Sequence, residues 1–254
     1  MMLQYYEGTD QHLLPPKTTH SIDDTLSKTL NETFHQFGIV PDQCKSPIRG
    51  HFDKIYEGGN WSWGMSLCQP SHFYSDAAWP SKKIRKISAS GGGSDLGYPT
   101  ITSLKIIKDT ISKFNVKSMI DIPCGDVDWI FDSLETDTLP LYIGLDIAGA
   151  VIEVNKQRFR HHMNKQFSFW DATACALPRF QNVTSEDQAV DLVHVRDVIQ
   201  HMTLDQGVRY FCNVFKYVAK VLITTTFEYV RNKNITEGTY YNNNLLLEPF
   251  SFPQ

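Results

Sequence analysis

The stretch SMIDIPCGD at residues 118–126 decides the fold. Its apolar start predicts a short buried strand over 118–122, and the proline and glycine that follow end the strand in a tight loop. Later apolar segments predict further strands at 141–145, 166–169, 190–195 and 218–226. Helices are predicted over 100–113, 148–161 and 204–216. Because strands that alternate with helices run parallel, we expect an α/β fold with a doubly wound, mostly parallel sheet in three layers.

The composition is that of a globular protein and excludes several classes of function. Of the 254 residues, 41% are apolar and 20% are charged, far from the balance of disordered chains. The 24 basic and 28 acidic side chains are mixed along the chain, which argues against a nucleic-acid partner. No apolar run is long enough for a membrane span, and the first residues do not form a secretion signal. We therefore expect a cytoplasmic protein without membrane contacts.

The cysteines are scattered along the chain without any Cys-x-x-Cys pair. This pattern predicts reduced thiols and no metal site. The sequence leaves the oligomeric state open.

The chain divides into an extension and one domain, 51–254. Residues 1–50 carry turn-forming prolines around one amphipathic helix at 22–37, so we expect an irregular N-terminal extension that is partly helical or disordered. Within the domain, an aromatic and glycine-rich lid or substrate segment at 51–99 precedes a Rossmann-like core at 100–254.

Acidic residues follow successive predicted strands of the core. They are Asp121, Asp146, Asp171 and Asp197. Ligands of an open parallel sheet bind beyond the carboxyl ends of the strands, so these side chains are candidate ligand contacts. Asp146 follows the second strand at the spacing of a carboxylate that accepts both hydroxyls of a ribose.

The loop at 123–129 does not suit a pyrophosphate. It has one glycine and two carboxylates, Asp126 and Asp128, where a pyrophosphate site needs a glycine series and an open helix N-terminus. A ligand with an adenosine, no phosphate and a cationic centre fits this loop better. The missing Gly-x-Gly-x-x-Gly pattern also argues against a nicotinamide-dependent oxidoreductase, which we keep as an alternative.

These motifs resemble class I S-adenosylmethionine-dependent methyltransferases, in a branch whose first motif has the form Asp-x-Pro-Cys-Gly-Asp. The resemblance runs from about Tyr56 to the end of the chain, and the segment DLVHVRDVIQH at 191–201 is similar to the family's fourth motif, which borders the reaction centre. It implies a Rossmann-like methyltransferase fold with S-adenosyl-L-methionine as the cofactor. Pro123 and Val127 depart from the pattern, because they stand where the family commonly has glycine.

The resemblance also implies where the cofactor lies. The first loop contacts its amino-acid part, Asp146 its ribose and Asp171 its adenine amino group. The run SASGGGS at 88–94 resembles the segment that closes over the methionine carboxylate, with a plain flexible loop as the alternative. The implied cofactor-binding residues are Asp121, Pro123, Cys124, Gly125, Asp126, Asp146, Asp171, Ala172, Arg196, Ser90, Gly91 and Ser94.

Methyl transfer to a hydroxyl group needs a base that removes the hydroxyl proton. His201 and Asp197 are the catalytic candidates, because they lie four residues apart and share one face if the segment is helical. A cap or packing role for His201 is the alternative. Tyr56, Trp61 and Trp63 are candidates for a substrate platform, again with packing as the alternative.

The sequence thus predicts an S-adenosylmethionine-dependent methyltransferase that acts on a hydroxyl of a small molecule or glycan. The glycan acceptor rests on a loose resemblance of residues 56–94 to methyltransferases encoded near glycan genes. A non-catalytic binding module with the same fold is the alternative, because few residues follow the last predicted strand. Either the native chain continues past Gln254 or the sheet edge beside that strand is incomplete.

Overall fold

A computed structural model gives the structure of the chain over a defined set of residues. The described residues are 2–7, 46, 49–58, 73–74, 85–86, 90, 94, 98–131, 141–175, 190–215 and 218–252. The predicted helix at 22–37 lies outside them, as do Trp61, Trp63 and Gly91.

Strands and helices alternate along the core, as the sequence predicts. The strands are β1 (Met2–Glu7), β2 (Phe73–Tyr74), β3 (Arg85–Lys86), β4 (Ser118–Asp121), β5 (Leu141–Asp146), β6 (Lys165–Phe169), β7 (Val190–Val195) and β8 (Val218–Thr226). The helices are α1 (Arg49–Gly58), α2 (Tyr98–Phe114), α3 (Asp128–Phe131), α4 (Gly149–Arg158) and α5 (Leu204–Val214), with a 3-10 turn at Ile199–His201. The predicted helix over 148–161 ends early, at Arg158.

The main sheet has the strand order β1-β8-β7-β4-β5-β6. The five strands from β8 to β6 run parallel, and β1 lies antiparallel along β8. The chain moves from β4 to β5 and β6 on one side, then returns to the other side of β4 through β7 and β8, so the order reverses between β4 and β7. The predicted doubly wound, mostly parallel sheet is confirmed, and its reversal point is where such sheets bind ligands.

Apolar side chains cover both faces of the sheet. Strand β5 is buried at every position, as expected for a central parallel strand. Ile107 of α2 and Ile152 of α4 belong to one core cluster, and Phe211 of α5 belongs to the other. Helix α5 begins with a capping box between Thr203 and Gln206, which satisfies backbone N–H groups at its start. Helices therefore pack on both faces and form the predicted three layers.

Within the predicted N-terminal extension, the described residues 2–7 form a strand instead of the expected irregular or helical structure. Met2–Glu7 forms β1, which runs from Met2 opposite Thr226 to Glu7 opposite Val221. This strand occupies the place beside β8 that the sequence left open. Its partner lies at the far end of the chain, so no local pattern marks the pairing.

Helix α1 crosses the predicted boundary at residue 50 and docks on α4. The Asp53 carboxylate accepts a hydrogen bond of 3.2 Å from the Ala150 backbone N–H at the start of α4. The first residues of the predicted domain are thus tied to the sheet's helical layer.

Residues 227–252 have no regular secondary structure, but asparagine side chains tie them together. The Asn232 side-chain amide donates to the carbonyls of Asn244 and Glu248 at 2.8 Å each. Asn244 donates in turn to the Glu228 carbonyl at 2.8 Å. The segment reaches back to the 3-10 turn, where the Gly238 N–H bonds the His201 carbonyl at 2.9 Å.

The cysteines depart in part from the prediction of reduced thiols. Cys175 forms a disulfide bond, whereas Cys124 and Cys212 are free thiols. The pairing is set by tertiary proximity, which scattered cysteines do not reveal. Within the described part of the chain, no group of three or more His, Cys, Asp or Glu side chains could hold a metal ion. No helix among those same residues has the length and apolar character needed to cross a membrane.

Candidate functional site

A cavity of about 400 Å³ opens at the carboxyl ends of β4, β5 and β7, where the strand order reverses. Its volume lies within the usual range for small-molecule and cofactor sites. The predicted site residues that line it are Ser90, Ser94, Pro123, Cys124, Gly125, Asp146, Asp171, Ala172, Arg196, Asp197 and His201. Tyr56 lines it as well. Asp121, at the end of β4, and Asp126, in the loop that follows, do not line it.

The loop after β4 is shaped by Gly125 and Ser90. Gly125 has a φ of +57°, a conformation that side chains rarely adopt, and its N–H donates to Asp146 Oδ2 at 3.0 Å. The Ser90 hydroxyl accepts a hydrogen bond of 2.8 Å from the Asp126 N–H and lies 3.3 Å from the Tyr56 hydroxyl. A Cβ atom on Gly125 would stand 2.2 Å from Ser90 Oγ. Ser90 therefore closes tightly over this loop.

Asp146 ends β5 at the floor of the cavity. Its Oδ2 accepts from Gly125, and its Oδ1 accepts from the Ala148 N–H at 2.9 Å. Burial raises the pKa of the Asp146 carboxyl to about 6, although the hydrogen bonds from Ala148 and Gly125 oppose the rise. Carboxylate oxygens accept more than one hydrogen bond each, so both can still receive ligand hydroxyls.

Asp171 lies just beyond the end of β6. Its Oδ1 accepts hydrogen bonds from the Thr173 N–H at 2.9 Å and from the Thr173 hydroxyl at 2.7 Å. The preceding residue, Trp170, lines the cavity and donates its backbone N–H to the Asp146 carbonyl at 2.8 Å. This hydrogen bond joins the ends of β5 and β6, so Asp146 and Asp171 lie on the same wall of the cavity.

Asp121 lies behind the cavity wall and is engaged within the protein. Its Oδ2 accepts from the Tyr142 hydroxyl at 2.6 Å, and its Oδ1 lies 2.7 Å from His194 Nδ1. His194, which is not among the predicted site residues, lines the cavity in its place. The only local signal is that His194 and Arg196 are two apart at the end of β7 and so share a face.

His201 and Asp197 both line the cavity, but they do not share a helix. Asp197 has a φ of +52° and precedes the 3-10 turn that ends at His201. Asp197 Oδ1 accepts from the Gln200 amide at 3.2 Å, whereas His201 Nδ1 lies 3.0 Å from the Thr239 carbonyl oxygen. The hydrogen bond of His201 Nδ1 is therefore made to the Thr239 carbonyl and not to Asp197.

The carbonyl of Thr239 can only accept, so His201 carries its proton on Nδ1 and presents Nε2 as an acceptor. Burial lowers the pKa of His201, against the opposing effects of the Thr239 carbonyl and the Asp197 charge. The neutral form of a histidine is the one that can take up a proton. The Tyr240 ring, 5.5 Å from the His201 ring, completes this side of the cavity.

Arg196 places a cation inside the cavity. Its side chain is only 5% exposed, and its guanidinium lies 4.6 Å from the centre of the Trp129 ring. Burial lowers the pKa of Arg196, while the charges of Asp197 and Asp121 raise it. Trp129, Phe227 and Tyr240 also line the cavity and were not among the predicted site residues. The last two come from the segment after β8, whose return to the site has no local sequence signal.

No family model matches the chain, and no curated protein matches it. Among solved structures, the chain is similar to the methyltransferase domain of bacterial CtHen1-CN, at 17% identity over 46% of this chain and 60% of that one, with a TM-score of 0.37. It is also similar to the N-methyltransferase NodS from Bradyrhizobium japonicum in complex with S-adenosyl-L-homocysteine, at 15% identity over 48% and 57% of the two chains, with a TM-score of 0.39. The match thus spans less than two thirds of each of these proteins.

Proposed function

We propose that the chain is an S-adenosylmethionine-dependent methyltransferase that acts on a hydroxyl oxygen of a small molecule or glycan. The observation that carries the proposal is Asp146, a buried carboxylate that ends the strand beside β4 and lines the cavity at the reversal of strand order. Carboxylates in this position accept the hydroxyls of a ribose.

The residues of the cavity fit such a cofactor. Asp146, Asp171 and Asp197 outnumber Arg196 among the charged side chains that line it, which favours a ligand with a cationic centre. The first loop offers no glycine series for a pyrophosphate. When bound, the cofactor supplies an electrophilic methyl group on a sulfonium.

The chain's own residues supply orientation and proton removal. Asp146 holds the ribose, and the neutral Nε2 of His201 accepts the proton that the acceptor hydroxyl loses. Met202, Phe227 and Tyr240 line the same cavity. If the methyl acceptor contains a ring, that ring can stack on the face of the Tyr240 side chain.

Asp146→Ala tests the cofactor assignment. We expect the affinity for S-adenosylhomocysteine, measured by calorimetric titration, to fall by about 1 to 3 kcal/mol, because charge-assisted hydrogen bonds to the ribose are lost. Asp191→Ala is the matched control, since Asp191 also accepts two backbone N–H groups, from Lys117 and Ser118, but lies outside the cavity. Unchanged affinity in Asp146→Ala would show that the ribose assignment is wrong, and tight binding of a nicotinamide dinucleotide instead would favour the oxidoreductase.

The pH dependence of binding gives a second test. The pKa of the Asp146 carboxyl is raised to about 6 by burial. Since only the ionised form has both oxygens available as acceptors, we expect the affinity for S-adenosylhomocysteine to fall by up to about tenfold per pH unit below about pH 6. Stability changes in the opposite direction: the folded chain holds this proton more tightly, so the carboxyl's contribution to stability is lost as the pH rises from about 4 to about 6.

Titrations from pH 5 to 8 on the native chain and on Asp146→Asn check the pH prediction. The asparagine cannot titrate, so it should flatten the profile. A pH dependence that persists unchanged in this variant assigns the titration to another group.

Transfer itself is tested by incubating the chain with labelled S-adenosylmethionine and panels of glycans and metabolites. Mass spectrometry should detect a labelled methyl group on an acceptor oxygen. Cofactor binding without transfer to any acceptor would favour the binding module.

A further inference from the structure

One wall of the cavity pairs a histidine with an arginine. His194 and Arg196 lie two residues apart at the end of β7, and both line the cavity. Both also contact Trp129: the His194 ring centre lies 5.8 Å and the Arg196 guanidinium 4.6 Å from the centre of that ring. The indole therefore fixes the imidazole and the guanidinium next to each other.

The hydrogen bonds of His194 fix which of its nitrogens carries the proton. Nδ1 lies 2.7 Å from Asp121 Oδ1, and the other oxygen of Asp121 accepts from the Tyr142 hydroxyl. A carboxylate can only accept, so Nδ1 carries a hydrogen, and in the neutral imidazole Nε2 presents a lone pair. The hydrogen-bonded series of Tyr142, Asp121 and His194 is thus arranged to present one hydrogen-bond acceptor at the cavity wall.

The acceptor at Nε2 is not used within the described part of the chain. His194 is fully buried, and Nε2 has no hydrogen-bond partner among those residues. Leaving a buried polar atom without a partner is costly, so its presence at a cavity wall points to a ligand that donates to it. The negative charge of Asp121 behind the imidazole favours a cationic donor.

We infer that His194 Nε2 accepts a hydrogen bond from the α-ammonium group at the amino-acid end of the ligand, with Arg196 beside it facing the α-carboxylate. An α-amino acid carries an ammonium and a carboxylate on one carbon atom. The ammonium can donate to the acceptor at His194 Nε2, and the carboxylate can pair with the neighbouring Arg196 guanidinium. His194 is then a positioning residue that aligns the cofactor for transfer. This inference rests on the proposed function, because the ligand is taken to be S-adenosylmethionine.

His194→Asn separates this role from a structural one. The asparagine amide can still donate to Asp121 in place of Nδ1, but it has no atom in place of Nε2. We expect the affinity for S-adenosylhomocysteine to fall about 10- to 150-fold, the usual effect of losing a hydrogen bond to a charged group. Methylthioadenosine, which has the same nucleoside but no amino acid, should bind the variant and the native chain equally.

A ligand series on the native chain keeps the inference testable even if the variant folds poorly. The analogue of S-adenosylhomocysteine that lacks only the α-amino group should bind about 10- to 150-fold more weakly than the parent. Two results would contradict the role of His194 and leave the proposed function standing. In the first, the native chain binds S-adenosylhomocysteine and the analogue without the α-amino group equally well. In the second, His194→Asn loses the same affinity for S-adenosylhomocysteine as for methylthioadenosine. If the native chain binds neither nucleoside, the proposed function falls, and this inference falls with it.

Discussion

Replacing His201 by alanine is expected to lower kcat about 10²- to 10⁴-fold, the usual contribution of a positioned general base. The affinity for S-adenosylhomocysteine should stay unchanged, because the proposed role of His201 is toward the methyl acceptor and not toward the cofactor. The reason is structural: the Thr239 carbonyl holds Nδ1 at 3.0 Å, and burial lowers the pKa of the imidazole. The measurement is turnover with the acceptor identified by labelled-methyl transfer, together with calorimetric titration.

His201→Asn is the control that separates base catalysis from packing. Its amide can keep the hydrogen bond to Thr239, but it cannot take up a proton at neutral pH. If His201 is the base, both variants lose turnover although the asparagine keeps the melting temperature. If His201 is only structural, the asparagine restores both turnover and melting temperature, and the base assignment is then wrong.

Gly125→Val should lower the free energy of unfolding by roughly 2 to 6 kcal/mol. A β-branched residue held at positive φ costs about 1 to 3 kcal/mol, and overpacking costs a similar amount. The backbone at Gly125 has a φ of +57°, and a Cβ atom there would stand 2.2 Å from Ser90 Oγ. Cofactor binding should be lost along with stability, because the Gly125 N–H that supports Asp146 moves.

A side chain at Gly125 is therefore expected to disturb the fold itself and not only the space for a cofactor. Chemical denaturation of Gly125→Val measures the loss. Gly50→Val is the control, since a Cβ atom on Gly50 has no neighbour within 4 Å. Adding Ser90→Gly to Gly125→Val should recover part of the lost stability. Equal stability of the two glycine variants would contradict the steric account.

The parts of the fold that follow from local patterns could be predicted from the sequence. The strands of the parallel core are short apolar runs that end in acidic or turn-forming residues, so β7 and β8 match their predicted bounds. Strand β1 could not be predicted from local patterns, because it depends on a partner strand, β8, that is distant in sequence. The same holds for residues 227–252, which are organised by asparagine side chains rather than by a periodic pattern.

The candidate site also combines features set by local sequence with features set by distant partners. Asp146 and Asp171 line the cavity, and their positions depend only on where two strands end. Asp121 ends a strand as well, but its oxygens are used by Tyr142 and His194, two residues far from it in sequence. Partners of this kind are brought together by packing, which local sequence does not encode.

The pairing of β1 with β8 bears on how the chain reaches its native state. During synthesis β1 leaves the ribosome before the strands of the core and must wait until nearly all of the core has emerged before its partner strand is available. Contacts between such distant segments slow folding. Until β8 arrives, the waiting strand presents unpaired N–H and C=O groups, which are a template for pairing with other nascent chains. Strand capture at this edge is therefore the step at which we expect folding and aggregation to compete.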